Sequence, residues 1–117
     1  MKERTELYKV EHDDKVWCVK FHGDVLISSS DDKTVKLWNR KDGQLLHTLR
    51  HDDRCYNFDV RDNLLVVGAR DGVYIWSLND RRQLKKINLG YVVAVRIQGS
   101  QVIAACANGE VYGIKME

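Results

Sequence analysis

Apolar positions recur along this chain in short runs separated by polar or glycine-bearing turns. Nowhere do they fall at i, i+3, i+4 and i+7 over ten or more positions, so the pattern predicts strands and no helices. Leu7 to Val10 alternates apolar and polar, as a half-exposed strand would, and His12-Asp13-Asp14 breaks it. Val16 to Phe21 is a denser apolar run, followed by a tight turn at His22-Gly23-Asp24. Val25 to Ile27 is apolar at every position, which predicts burial on both faces. Asp31-Asp32-Lys33 makes the next hairpin, Thr34 to Trp38 returns with clean alternation, and Leu45 to Leu49 is a half-polar fourth strand.

The same order then begins again. His51 stands 39 positions after His12 and leads through Cys55 to Val60, Leu64 to Val67, Val73 to Trp76 and Leu84 to Leu89. A worn third copy runs through Tyr91 to Ile97, Val102 to Cys106 and Glu110 to Lys115. Phe21, Val60 and Ile97 share a strand position at spacings of 39 and 37, and Asp32, Asp71 and Asn108 share a hairpin position at the same two spacings. Such a period marks a repeat architecture in which each unit must bury its faces against a neighbour. The approximate repeats are 5–43, 44–82 and 83–117 within one region, 1–117. The first two strands of each copy are nearly continuously apolar and the fourth is half polar. That gradient predicts inner strands sandwiched between neighbouring sheets and an outer strand facing water.

Composition narrows the function classes. Charged residues make up 31% of the 117, with a formal charge of +2 and both signs mixed throughout, so no basic stripe for nucleic acid is expected. No apolar run reaches the ~20 residues needed to cross a bilayer, and Met1 to Glu6 does not lead into a secretory signal. Three cysteines, Cys18, Cys55 and Cys106, each lie inside an apolar run. Buried free thiols in a reducing compartment, cytosol or nucleus, are the expectation.

The succession of His12, Ser28 to Ser30, Asp31-Asp32, Lys33, Thr34 and Trp38 resembles a WD40 repeat, and the resemblance extends over nearly the whole chain. It implies an all-β, WD40-type β-propeller segment of three four-stranded antiparallel blades. It also implies a hydrogen-bonded network within a blade, drawn from His12, Ser28, Asp32 and Trp38 in the first copy and from His51, Asp71 and Trp76 in the second. The second copy lacks the serine, since Val67-Gly68-Ala69 stands there; the third has Asn108 for the aspartate and Ile114 for the tryptophan. Short turns between the first two strands are similar to those of F-box/WD-repeat substrate receptors. Three blades leave a ring open, which points to missing blades of a longer chain or to a second copy that completes a six-bladed ring.

The remaining chemistry is read against repeat logic. His12 and His51 occupy equivalent positions, so structural roles are expected over metal binding or base catalysis. The aspartate pairs lack the oxygen spacing of a calcium loop, and no phosphate loop or nucleophile motif appears. No metal, cofactor or catalytic residue is expected. Arg81-Arg82 and Lys85-Lys86 form a basic patch on a loop and outer strand. The resemblance implies a non-catalytic scaffold for a protein or peptide partner, and through F-box receptors a substrate-recognition role in ubiquitin ligation; the alternative is a truncated propeller fragment with a structural role only. Trp17, Tyr56 and Arg70 are the candidate peptide contacts, because the copies differ at their positions.

Overall fold

The computed structural model describes residues 5–116. Eleven strands form three antiparallel sheets, each a simple meander. The first holds β1 (Val16–His22), β2 (Val25–Ser30), β3 (Thr34–Asn39) and β4 (Leu45–Arg50). The second holds β5 (Cys55–Arg61), β6 (Leu64–Ala69), β7 (Gly72–Ser77) and β8 (Arg82–Asn88). The third holds only β9 (Val92–Gln98), β10 (Gln101–Cys106) and β11 (Val111–Lys115). Among the described residues there is no helix, and the sheets do not close into a ring.

The turns repeat as faithfully as the strands. Gly23, Asp62 and Gly99 take left-handed φ values of 59°, 54° and 57° at the tight turn after the first strand of each sheet. Lys33, Gly72 and Gly109 do the same in the next hairpin, at 74°, 144° and 95°. Each series contains one residue that is not glycine, so the turn geometry is imposed by the ladders on either side as well as by local freedom.

Two apolar seams hold the sheets together. Ile27, Val35 and Leu37 of the first sheet meet Phe58, Leu65, Val67, Tyr74 and Trp76 of the second. The opposite face of the second sheet, with Val66, Val73 and Ile75, meets Val95, Ile97, Val102 and Ala104 of the third. Polar links stitch the inner strands across the same seams. Lys20 Nζ pairs with Asp59 Oδ1 at 3.1 Å, and Asp59 Oδ2 accepts the Ile97 N–H at 2.8 Å. Asn57 Oδ1 accepts the Val95 N–H at 2.9 Å.

Two expectations are corrected. The deepest strands are the second and third of the second sheet, not the first two of each sheet. β1 is exposed or half-buried along its whole length, because no sheet among the described residues covers its outer face. Leu7 to Val10 is not a strand: the segment is extended, pairs with no strand among the described residues, and leaves Leu7 86% exposed. Its alternation is real, but a strand exists only with a ladder partner beside it.

Candidate functional site

In the first sheet His12 enters from the loop before β1 and lies against Trp38 with ring centroids 6.1 Å apart. The Trp38 indole donates to Ser28 Oγ at 2.9 Å, and Ser28 Oγ lies 2.6 Å from His12 Nε2. Nδ1 faces the carboxylate of Asp32, which only accepts, so the Ser28 hydroxyl, accepting from the indole, donates its own proton to Nε2. The imidazole proton therefore sits on Nδ1, which faces Asp32 Oδ2 at 2.9 Å. Burial raises the Asp32 pKa, but the Thr34 hydroxyl, the Asp13 N–H and His12 outweigh it and leave it below the ordinary value.

The second sheet is wired differently. Without a serine, the Trp76 indole donates directly to His51 Nε2 at 2.9 Å, and the rings close to 5.2 Å. The His51 proton again belongs on Nδ1, but there it is buried without a hydrogen-bond partner. Burial pushes the His51 pKa down to about 4; the Lys33 and Leu49 carbonyls favour the protonated form without reaching bonding geometry. Asp71 does not join this pair. Tyr74, stacked edge-on to His51 at 4.6 Å, donates to Asp71 Oδ2 at 2.8 Å, and Lys86 meets the same oxygen at 2.9 Å. Lys86 is thus no part of a solvated basic patch: it also reaches Asp52 and lies over the Tyr74 ring. These residues fasten each sheet internally.

The exposed chemistry lies at the inner end of the same hairpins. The β1/β2 register slips between Val16 and Cys18, and the β5/β6 register slips between Cys55 and Asn57. Trp17 and Tyr56 are the extra residues at these bulges, and a bulge re-aims its side chain away from the pleat. Trp17 and Tyr56 consequently meet across the seam, edge to face at 5.7 Å. Tyr56 also stacks on Tyr91 at 5.1 Å with the rings 10° from parallel, giving an aromatic row over all three sheets. Tyr91 was missed by sequence reasoning because the repeat position is Val93, two residues later; the only signal was an aromatic residue beside a bulge position.

Charges flank the row. Trp17 donates through Nε1 to Asp31 Oδ1 at 2.6 Å, and the Arg70 guanidinium lies 5.3 Å from the Tyr91 ring centre. Arg54 interacts with the Tyr56 hydroxyl and with Asp31, which together raise its pKa. Burial and then the Tyr91 hydroxyl raise that of Tyr56, so the phenol stays neutral near pH 7. Trp17 and Tyr91 keep 51% and 41% of their surface exposed, which leaves flat ring surface open to solvent. The Cys55 and Cys106 thiols are pushed up by burial, and both His12 ring nitrogens are occupied. Among the described residues no group of three or more His, Cys, Asp or Glu could hold a metal ion.

Comparison with known proteins places this geometry. Residues 4–39 match the family described as WD domain, G-beta repeat. A Dictyostelium discoideum protein described as WD repeat-containing protein 89 homolog is 28% identical over 82 residues, covering 68% of this chain and 23% of the relative. The mRNA export factor GLE2 of Chaetomium thermophilum is 33% identical over 78 residues, covering 63% of this chain and 22% of that protein. The mouse (Mus musculus) F-box/WD repeat-containing protein 4 is 32% identical over 78 residues, covering 58% of this chain and 19% of that protein. The chain thus spans roughly a quarter or less of the curated relatives it matches. The β-propeller domain of Cps50 (Swd1) from Myceliophteria thermophila superposes with a TM-score of 0.81 at 20% identity, over 91% of this chain and 37% of that one. The computationally designed Ika8 protein gives 0.80 at 25% identity, over 89% of this chain and 34% of that one.

Proposed function

We propose that this chain, a WD40-repeat domain of β-propeller architecture, is a non-catalytic interaction module that docks an extended segment of a partner protein along Trp17, Tyr56 and Tyr91. The observation that carries this is the aromatic row itself. Trp17 of the first sheet, Tyr56 of the second and Tyr91 at the entrance to the third converge on one surface, and Trp17 and Tyr91 stay about half open to solvent. Rigid rings supply contact area at low entropic cost, and the neighbouring Asp31 and Arg70 supply polar anchors of opposite sign at the two ends. Substrate recognition in an F-box ubiquitin ligase is a finer version of this reading. It has the support of F-box/WD relatives and of one basic rim position, Arg70. Relatives of comparable similarity carry other descriptions, mRNA export factor among them, so the module is proposed without a fixed pathway. A cytosolic or nuclear setting fits those relatives and the unpaired thiols.

A displayed library of extended peptides, selected against the full chain, tests the proposal. Selected sequences should carry apolar or aromatic anchors, and Trp17→Ala and Tyr91→Ala should each weaken them by about thirtyfold, the scale of an interface hot spot. Unchanged binding in both variants, with unchanged circular dichroism, would remove the row from the function.

A further inference from the structure

We propose that the cleft between the first and second sheets, at the end of the strands opposite the aromatic row, binds a free apolar α-amino acid. Val25, Ile27, Leu37 and Leu46 of the first sheet and Leu78 of the second line a cavity of about 220 Å³. Its floor is closed and apolar, with Ile27 fully buried and Leu37 nearly so. His22, Asp62, Asn79 and Arg81 make up the rest of the lining. Sites for drug-sized molecules run to roughly 300–1,000 Å³, so a cavity of this volume suits a smaller ligand with a single apolar group. None of these residues belongs to the aromatic row, so the site stands apart from the docking of a peptide.

The cleft itself is a regular product of the meander. Arg61, Leu64, Ile75 and Leu84, equivalent to His22, Val25, Leu37 and Leu46, line a cavity at the same place in the second seam. The mouth is what sets the first seam apart. Asp62 and Arg81 both hold left-handed backbone, at φ 54° and 55°. Neighbouring repeats place glycine at both positions: Gly23 and Gly99 at that of Asp62, with φ 59° and 57°, and Gly43 at that of Arg81, with φ 73°. Residues with a Cβ rarely adopt this region, arginine less readily than aspartate. The chain thus twice gives up the residue that the turn favours, each time for a charge at the mouth of one cavity. Strain of this kind gathers where a ligand is held. The third residue of this class, Lys33, lies in the hairpin at the other end of the first sheet.

The two charges are opposite in sign and unpaired. Among the described residues the Asp62 carboxylate and the Arg81 guanidinium form no ion pair, with each other or with a neighbour. Asp80, next to Arg81, accepts instead from the Ser77 hydroxyl at 3.3 Å. Hydrogen bonds set the mouth before any ligand arrives. His22 Nε2 donates to the Asp62 carbonyl at 2.7 Å across the seam, and the Asn79 N–H donates to Asn63 Oδ1 at 2.6 Å. The Leu78 N–H donates to the Asn63 carbonyl at 2.9 Å, which fixes the loop that carries Arg81. An anion, a cation and an apolar cleft complement an ammonium, a carboxylate and an apolar side chain borne on one carbon. Arg81 would take the carboxylate through its planar fork and Asp62 the ammonium, with the side chain against Ile27, Leu37 and Leu78.

Isothermal titration calorimetry of the full chain with L-leucine, L-methionine and L-phenylalanine reads the outcome. At least one should bind saturably below about 10 mM. Its amide lacks the carboxylate and its deaminated acid lacks the ammonium, so each should bind at least about tenfold more weakly. Asp62→Gly and Arg81→Gly should each weaken the amino acid by about the same factor. Neither should lower the urea midpoint, because glycine suits both turns. Trp17→Ala should leave the titration unchanged, which keeps this result separate from the fate of the aromatic row. No saturable binding by any of the three amino acids overturns the proposal. An amide, a deaminated acid or an N-acetyl amide that binds as well as the amino acid also overturns it, and would make the cleft a groove for chain segments. Affinity unchanged in both glycine variants does the same.

Discussion

At the scale of single residues, the two histidines show one motif solved in two ways. Ser28 separates His12 from Trp38 and joins them; in the second sheet Val67 removes the hydroxyl and the rings move together. Ser28→Val should cost about 1–3 kcal/mol, the penalty of stranding a buried donor, read by urea unfolding. Contraction of His12 onto Trp38, as in the second sheet, would place it at the lower end. His51 gives a pH signature. Its folded pKa of about 4 lies below the ordinary 6.5, so the unfolded chain binds a proton that the folded chain refuses. Stability should hold above pH 6.5 and fall as pH drops towards 4, by roughly 3 kcal/mol in total. The carboxylates of Asp32 and Asp59 have folded values below their ordinary 3.8, and their loss comes lower in pH. Unfolding midpoints at pH 7 and 4.5 should therefore differ less in His51→Asn than in wild type; an equal difference would assign the effect elsewhere.

At the scale of strands and turns, much of the fold was legible because hairpin residues and apolar runs share one period. The misses have physical causes. Leu7 to Val10 carries the right alternation, yet hydrogen-bond partners lie outside the reach of any local pattern. Tyr91 was hidden because bulges shift which residue faces the rim, and a two-residue offset looks like drift. Glycines divide in the same way. A Cβ on Gly72 would come within 2.0 Å of the Ile87 carbonyl oxygen, whereas one on Gly109 meets nothing within 4 Å. Both have positive φ, so Gly109→Ala should cost only about 1–2 kcal/mol of backbone strain. Gly72→Ala must also part β7 from β8, and should cost at least about 3 kcal/mol in the same urea assay.

For the molecule as a whole, the middle sheet bears the stability. Among the described residues it alone is packed on both faces, by the seam through Phe58 and Tyr74 and by the seam through Val66 and Val73. In an array of this kind each sheet is stabilised mainly by its neighbours, so a sheet with one neighbour among the described residues has about half the support of the middle one there. Native-state hydrogen exchange should find the slowest amides in β6 and β7, and faster, locally opening amides in β1 and in β9 to β11. Equal exchange in β1, β6 and β7 would remove the middle sheet from this role.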